Sequence, residues 1–295
     1  MMWNFFRIRS WGRSKGGRKL NIRLAIAAAV VIAALFGCDD GSKKVLFDKQ
    51  SAYERVLVVD EGNRRYLRFG RIDGTSQSTI SLSDPRALPS EYIRIAALGT
   101  MMTIELRRAL MLGLGGGTFT SFLQRYFPDL KIDAVEIDPV VVEAATTFFG
   151  VKENARFHIH IEDGAKYIRE THILYDLIFL DAYSGEGLPE ALSSPAFFDA
   201  VREKTAPGGV VILNLFRQDG RERALINVFR TRFPQLLCSR TSDKLNLVVF
   251  GKAGAMPSRA QVTEAARRFT AGSNLVFDLG YVAEELSTKC AGRRK

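Results

Sequence analysis

The spacing of apolar and polar residues changes about a third of the way along the chain. Before this point, residues 44–80 contain short apolar runs, two of which flank a Glu-Gly-Asn turn signal at residues 61–63. Such a signal between apolar runs is typical of a β-hairpin. A helical pattern then begins at Pro89 and runs to about Leu106. We therefore predict a small β-rich N-terminal domain with a linking helix over residues 44–108.

Beyond this domain, apolar runs of strand length alternate with helical patterns, which is typical of a doubly wound parallel sheet. One run is almost wholly apolar, as expected for a parallel strand buried on both faces. Two later runs joined by a short polar turn predict an antiparallel hairpin at the sheet edge. The predicted strands are Ala109–Leu114, Lys131–Ile137, Arg156–Ile161, Tyr175–Leu180 and Gly209–Leu215, then Leu236–Arg240 and Leu245–Gly251 in the hairpin. The fold class is therefore α/β, with a Rossmann-like domain over residues 109–252 and terminal helices with a basic tail over residues 253–295.

The formal net charge of +10 is concentrated at the two ends of the chain. Residues 1–45 carry a net charge of +7 and residues 289–295 carry +4, so residues 46–288 sum to −1. A basic surface that binds nucleic acid is expected to lie on the folded body. The charge distribution therefore argues against a nucleic-acid partner.

A basic stretch that ends at Arg23 is followed by fourteen uncharged residues, Leu24–Gly37, and then by Cys38. A membrane-spanning helix usually needs about 20 apolar residues, whereas this run has the length of a signal-peptide core. The sequence LFGC also resembles the bacterial lipoprotein box. We expect a leader over residues 1–43 and membrane association through residues 24–38, as a signal-anchor or a lipoprotein. A buried helix or an unprocessed N-terminus is the alternative, and the chain is cytoplasmic if this segment is not functional.

The three cysteines are too few and too scattered for a disulfide scaffold or a zinc cluster. With only three histidines as well, we expect no metal site. Cys238 is predicted to be a buried strand residue.

The strongest chemical signal is the loop GLGGGT, residues 113–118, between a predicted strand and a predicted helix. Gly113, Gly115 and Gly117 would let the backbone approach a ligand, and the helix N-terminus supplies free N–H groups. Glu136 ends the next strand, where an acidic side chain can accept hydrogen bonds from both ribose hydroxyls. Alone, this pattern suits NAD, FAD or a sulfonium nucleoside, and a tight packed turn is the structural alternative.

Asp163 with Gly164, and then Asp181, follow the third and fourth strands. Because ligands bind at the carboxyl ends of parallel strands, we expect these residues to line one crevice with the glycine loop. The Pro-Gly-Gly turn at residues 207–209 and the terminal hairpin favour an S-adenosylmethionine-type enzyme over an NAD domain.

Over about residues 45–250 the chain resembles the spermidine synthase (polyamine aminopropyltransferase) family, a branch of the Rossmann-like methyltransferase fold. The resemblance is carried by GLGGGT, VEIDP, EDGAKYI and YDLIFLDAY, by the DGTSQ stretch that ends at Gln77, and by Tyr92. It implies that the three glycines, Gln77, Glu136, and Asp163 with Gly164 bind the nucleoside of S-adenosylmethionine or its decarboxylated form. It further implies that Asp181, helped by Tyr92, orients and deprotonates an acceptor amine such as putrescine. A homodimer is also expected.

Some positions depart from the family pattern. Thr118 replaces the aspartate that binds the aminopropyl ammonium, Ile93 and Arg94 replace His or Gln and Glu, and Ser184 replaces a second aspartate. Each lost carboxylate removes a partner for a cationic polyamine. Two alternatives therefore stay open: a methyltransferase of unknown acceptor, which Thr118 favours, and a catalytically inactive, membrane-tethered nucleoside-binding protein.

Overall fold

The protein is described by a computed structural model over residues 43–183, 187–217 and 220–290. The apolar segment at residues 24–38, Ser184 and the basic tail Arg293–Lys295 lie outside these ranges. Within them, no helix combines the length and the apolar character that crossing a membrane requires.

The first four strands form an antiparallel sheet whose order follows the chain. These strands are β1 (Lys44–Gln50), β2 (Arg55–Glu61), β3 (Arg64–Phe69) and β4 (Ser76–Ser81). A tight turn joins β2 to β3 through Gly62, whose φ of 56° favours glycine. The predicted hairpin is therefore confirmed. The prediction missed β4, because its sequence SQSTIS is almost wholly polar.

The remaining strands form one seven-stranded sheet of order β10-β11-β9-β8-β5-β6-β7. Strands β5 to β9 pair in parallel, whereas β11 lies antiparallel between β9 and β10. This arrangement confirms the predicted parallel sheet with an antiparallel terminal hairpin. The seven strands are β5 (Arg108–Leu112), β6 (Lys131–Glu136), β7 (Phe157–Ile161), β8 (Tyr175–Leu180), β9 (Thr205–Phe216), β10 (Leu236–Arg240) and β11 (Asn246–Lys252).

Helices connect and cover the strands. They are α1 (Glu91–Ala97), α2 (Thr118–Tyr126), α3 (Pro139–Phe148), α4 (Gly164–Glu170), α5 (Pro195–Lys204), α6 (Glu222–Arg232), α7 (Arg259–Gly272) and α8 (Leu279–Glu284). The predicted linking helix is shorter than expected, because a 3-10 turn at Leu98–Met101 follows α1 directly. Gly99 in this turn lies so close to Ile212 that a Cβ would come within 2.5 Å of its side chain. Helix α6 was not predicted.

Apolar side chains form two clusters of buried residues. One cluster combines Val56 and Leu67 of the small sheet with residues of α1, α2, α3 and α7. The other contains Phe197, Phe198 and Phe229 of α5 and α6. Polar contacts also join the two sheets, since Ser51 donates to Asp138, the residue before α3, at 2.5 Å.

Cys238 is buried in β10, as predicted, but it also forms a disulfide with Cys290. The two Cα atoms are 5.6 Å apart, and 52 positions separate the residues in sequence. Main-chain hydrogen bonds between Cys238 and Ser287, of 2.9 and 2.8 Å, hold the C-terminal segment along β10. The low number of cysteines excluded a scaffold, but it did not exclude this single bond.

Candidate active site

A cavity of about 1040 Å³ opens at the carboxyl ends of β5, β6 and β8. Strand β4 and the start of α1 form its opposite wall. Nearly all predicted site residues lie in its lining: Gln77, Tyr92, Gly113, Gly115, Glu136, Asp163, Gly164 and Asp181. Gly117 does not line it. The fold thus brings the strand-end residues together in one cavity, as the parallel sheet predicts.

The glycine loop is held against the end of β8. Gly113 has a φ of 99°, and a Cβ there would lie 2.3 Å from the main-chain oxygen of Asp181. Gly115 and Gly117 also have positive φ angles, of 52° and 65°. At Gly117 a Cβ would lie 2.4 Å from the side chain of Val151, so this glycine serves the packing of the loop. Side chains are therefore excluded from the loop by backbone conformation and by close contact.

Glu136 is the last residue of β6, and its carboxylate orders the glycine loop. One oxygen accepts from the Leu114 N–H at 3.0 Å, and the other accepts from the Asp138 N–H at 3.1 Å. Burial raises the pKa of Glu136, and the backbone hydrogen bonds from Leu114, Asp138 and Gly115 oppose this effect. Because each carboxylate oxygen can accept more than one hydrogen bond, capacity remains for hydroxyl groups of a ligand.

Asp163 is an exposed residue that caps α4, since its carboxylate accepts from the Lys166 N–H at 2.7 Å. Gly164 follows it as the first residue of α4. A Cβ at Gly164 would make only an ordinary contact with Leu112, so sterics do not require glycine here.

Asp181 follows β8, and two polar neighbours act on its carboxylate. Its Oδ1 accepts from Asn214 Nδ2 at 2.8 Å, and the Tyr92 hydroxyl, which donates to the main-chain oxygen of Gln77 at 3.3 Å, interacts with it electrostatically. Burial raises the pKa of Asp181 to about 7, although Asn214 and the Tyr92 hydroxyl both act to lower it. Burial and the nearby carboxylate of Asp181 raise the pKa of Tyr92 well above its usual value. Asp181 is therefore poised to exchange a proton near neutral pH, whereas Tyr92 stays protonated.

Strand β4 supports the site through its backbone and one hydroxyl. The main-chain oxygen of Gln77 lies 3.3 Å from the Tyr92 hydroxyl, and Ser78 Oγ accepts from the Gly116 N–H at 2.8 Å. Sequence reasoning identified Gln77 but missed Ser78. It also missed Asn214, whose polarity within the apolar run VVILNLF of β9 is the signal that could have revealed it.

The departing positions lie mainly in the same cavity. Thr118 begins α2, is 7% exposed, and its Oγ1 has no hydrogen-bond partner among the described residues. Arg94 donates to the Leu88 main-chain oxygen at 3.3 Å. Ile93 is buried in the apolar core. Across the described ranges, no cluster of three or more His, Cys, Asp or Glu side chains could hold a metal ion.

Comparison with known proteins relates this chain to enzymes that transfer alkyl groups. The family model described as the spermine/spermidine synthase domain matches residues 90–219. The polyamine aminopropyltransferase of Chromobacterium violaceum is 33% identical over 190 residues, which cover 63% of this chain and 72% of that enzyme. The polyamine aminopropyltransferase of Vibrio vulnificus is 30% identical over 181 residues. That match spans 60% of this chain and 60% of the Vibrio enzyme.

Solved structures show the same architecture. A spermidine synthase in complex with the transition state analogue AdoDATO aligns with a TM-score of 0.68, covering 82% of this chain and 84% of that one. Its 19% identity supports the fold alone. Human methyltransferase-like protein 13, solved in complex with SAH, aligns with a TM-score of 0.58 and 29% identity over 62% of this chain and 91% of that one. The fold is therefore that of Rossmann-like methyltransferases, as predicted.

Proposed function

Because this chain belongs to the spermidine synthase (polyamine aminopropyltransferase) family, we propose that it transfers an aminopropyl group from decarboxylated S-adenosylmethionine to an amine such as putrescine. One observation carries this proposal. Asp181, with its pKa raised to about 7, lies with Tyr92 in the cavity that the glycine loop and Glu136 also line. A proton acceptor and a nucleoside-binding groove are the two parts that such a transfer needs.

The nucleoside half of the proposed site comes from the strand ends β5 to β7. Glu136 would accept hydrogen bonds from the ribose hydroxyls, and Asp163 with Gly164 would contact the adenine. Gly113 and Gly115 would let the backbone approach the ligand, whereas Gly117 supports the loop. Gln77 would close the groove from β4. Support comes from the shared cavity and from the two main-chain N–H groups that already orient Glu136.

The reaction is an in-line displacement. The nitrogen lone pair of the acceptor attacks the propyl carbon next to the sulfonium, a C–N bond forms, and the C–S bond breaks. The electron pair of that bond returns to sulfur, and neutral methylthioadenosine leaves. The nitrogen must lose one proton, and Asp181 accepts it. Tyr92, whose hydroxyl interacts with Asp181, would help to keep the carboxylate turned toward the amine.

The raised pKa of Asp181 lowers the cost of this proton transfer. An alkylammonium has a pKa of about 10.4, so transfer to an ordinary aspartate is strongly uphill. Raising the aspartate pKa from 3.8 to about 7 reduces that cost by at most about 4 kcal/mol, at 1.36 kcal/mol per unit. The same group still ionises in part at neutral pH, so it can act as a base there.

A turnover assay tests the proposal. Full-length protein is incubated with decarboxylated S-adenosylmethionine and putrescine, and spermidine and methylthioadenosine are quantified. We expect Asp181→Asn to reduce kcat by about a hundredfold or more. Asp199→Asn, a surface change outside the cavity lining, should keep wild-type turnover. Tight nucleoside binding without turnover on a broad amine panel would refute transferase activity and favour a nucleoside-binding protein.

Methyl transfer is the second candidate, and Thr118 favours it. A neutral side chain at the start of α2 leaves the positive end of the helix available to a donor that retains its carboxylate. Similarity to human methyltransferase-like protein 13 supports this reading. Intact S-adenosylmethionine would then bind more tightly than its decarboxylated form, and Thr118→Asp would reverse the preference.

We also propose membrane association through residues 24–38, from the basic leader and the apolar run that precede Cys38. Fractionation of cells that express the full chain and its Cys38→Ser variant tests a lipidated anchor. The proposed division places the N-terminal domain at residues 44–108, the transferase domain at 109–252 and the terminal helices at 253–295. Sedimentation of the purified protein tests the expected homodimer.

A further inference from the structure

Two asparagines on neighbouring strands connect Asp181 to the terminal hairpin. Asn214 lies near the end of β9 and is 3% exposed. Its Nδ2 donates to Asp181 Oδ1 at 2.8 Å, and its Oδ1 accepts from Asn246 Nδ2 at 3.0 Å. Asn246 begins β11, the strand that pairs with β9. The two amides therefore form an uninterrupted chain of hydrogen bonds that ends on the carboxylate.

Both asparagines are held by backbone contacts. The main-chain oxygen of Asn214 accepts from the Tyr183 hydroxyl at 2.6 Å. The main-chain N–H of Asn246 donates to Thr241 Oγ1 at 3.0 Å, and its oxygen accepts from the Thr241 N–H at 3.0 Å. These contacts fix the main chain of both asparagines at the end of the hairpin. The Asn246 side chain in turn restrains the amide of Asn214.

We propose that Asn246 and Asn214 are positioning residues that together present a hydrogen-bond donor to Asp181 and keep it oriented and charged as the proton acceptor. The role in catalysis rests on the proposed transfer reaction, whereas the effect on Asp181 does not. A side-chain amide has an acceptor oxygen on one side and a donor NH₂ group on the other. If one neighbour binds the oxygen, the NH₂ group therefore faces the other neighbour. Because Asn246 donates to Asn214 Oδ1, Asn214 turns its NH₂ group toward Asp181.

The other groups around Asp181 do not fix the orientation of a hydrogen-bond donor to its carboxylate in this way. The titratable groups that act on it are Tyr92 on α1 and Glu136 at the end of β6. Tyr183, in the loop of Asp181, acts on Tyr92. Glu136 opposes ionisation of Asp181, whereas the Tyr92 hydroxyl favours it. Asn214 is the donor on β9, and its orientation depends on a residue that does not touch Asp181.

Replacing the hydrogen-bond donor of Asn246 with an acceptor tests the proposal. Asn246→Asp has almost the same shape but, when ionised, offers only acceptors. It would attract the NH₂ group of Asn214 and turn the Asn214 oxygen toward Asp181. Asn246→Ala removes the restraint, and Asn214→Leu removes the donor itself. Each change should raise the pKa of Asp181, because less hydrogen bonding remains to stabilise its charged form.

The titration of Asp181 can be followed directly by NMR of full-length protein labelled at the aspartate carboxyl carbons, with the signal assigned from Asp181→Asn. We expect the midpoint to rise by roughly one pH unit in Asn246→Asp and Asn214→Leu. Asn154→Asp, which adds the same charge at an exposed residue outside the cavity, should leave it unchanged. The pH profile of kcat should shift in the same direction, whereas the KM for the sulfonium donor should stay within about twofold.

The outcomes distinguish the positioning role of the two asparagines from the proposed transfer reaction. If the midpoint moves by less than about 0.3 unit in both Asn246→Asp and Asn214→Leu, the positioning role is wrong. The nearly isosteric Asn246→Asp preserves this test should Asn246→Ala or Asn214→Leu fail to fold. If the midpoint moves but the wild-type protein turns over no amine, the positioning role stands and the proposed transfer fails.

Discussion

Replacing Asp181 with asparagine is expected to make the unliganded protein more stable above pH 7, while it removes the proposed proton acceptor. Burial raises the pKa of this carboxyl from 3.8 to about 7 in the folded protein. In the unfolded chain the group ionises at its ordinary value. Between these two pKa values the folded state binds more protons than the unfolded state, so this group makes stability fall as pH rises.

The structure sets the size of the effect. A shift from 3.8 to about 7, at 1.36 kcal/mol per unit, corresponds to at most about 4 kcal/mol of lost stability above pH 7. Little of this cost is present at about pH 4, where the carboxyl is protonated in the folded state and only about half ionised in the unfolded chain. Asparagine is neutral at every pH and can still offer an oxygen to Asn214. The stabilisation by Asp181→Asn should therefore appear mainly as the pH rises.

Urea unfolding of both proteins at about pH 4 and about pH 8.5 measures the effect. The difference in the free energy of unfolding between variant and wild type should grow by about 2 to 4 kcal/mol between these pH values. Asp199→Asn, which removes an exposed carboxylate paired with Arg232, should show no gain in stability as pH rises. A difference for Asp181→Asn that is the same at both pH values would refute the raised pKa of Asp181 on which this prediction rests.

Three further predictions concern the parts around this carboxylate. Glu136→Gln should weaken calorimetric binding of methylthioadenosine by about tenfold, since an amide NH₂ group cannot accept hydrogen bonds; unchanged affinity would contradict the nucleoside role. Gly113→Ala should lower the free energy of unfolding in urea by roughly 2 kcal/mol or more, because its Cβ would clash with the backbone of Asp181. The loss should exceed that of the control Gly150→Ala, where φ is 73° but no atom lies within 4 Å of the new Cβ. Equal losses would argue against the clash. Replacing both Cys238 and Cys290 with serine should cost roughly 2–5 kcal/mol. A reductant should then destabilise only the wild type; equal responses would contradict the disulfide.

Elements with a strong local signal could be predicted from the sequence. The sequence pattern predicts Tyr175–Leu180 as a strand, Pro195–Lys204 as a helix and Leu236–Arg240 as a strand, and all three bounds agree with the structure. In the first, a continuous apolar run matches a strand buried between two layers of helices. In the second, Ser194 caps the helix by accepting from the Phe197 N–H, and proline occupies the first position. These signals lie within the element itself.

Strand β4 could not be predicted, because its stability comes from neighbours far along the chain. Its polar sequence has little tendency to form a buried strand. It becomes one because β3 supplies main-chain partners and the glycine loop binds Ser78. The early end of α1 has a similar cause, since the contact between Gly99 and Ile212 joins residues more than 100 positions apart.

The residues of the candidate site also fall into those that could be predicted from the sequence and those that could not. Glu136, Asp163 and Asp181 could be identified because parallel strands bring their carboxyl ends together, which is a property of the fold class. Asn214 and Asn246 could not be paired, since their contact depends on the register between β9 and β11. The disulfide is equally non-local, because Cys238 and Cys290 meet only after the C-terminal segment lies along β10.

The part of the cavity proposed to bind the nucleoside and the part proposed to bind the acceptor are built from different elements. This separation determines which experiments can distinguish aminopropyl transfer from methyl transfer. In the proposed function, the glycine loop, Glu136 and Asp163 would bind the nucleoside, and aminopropyl and methyl transfer would use them in the same way. Nucleoside affinity alone therefore cannot distinguish them. The distinction depends on Thr118, which would meet the part of the donor beyond the sulfonium, and on the acceptor half around Asp181 and Arg94. A cationic acceptor would need carboxylate partners, whereas the side chains at the departing positions Ile93, Arg94 and Thr118 carry no negative charge. The identity of the acceptor would therefore carry more information than the affinity for any adenosyl compound.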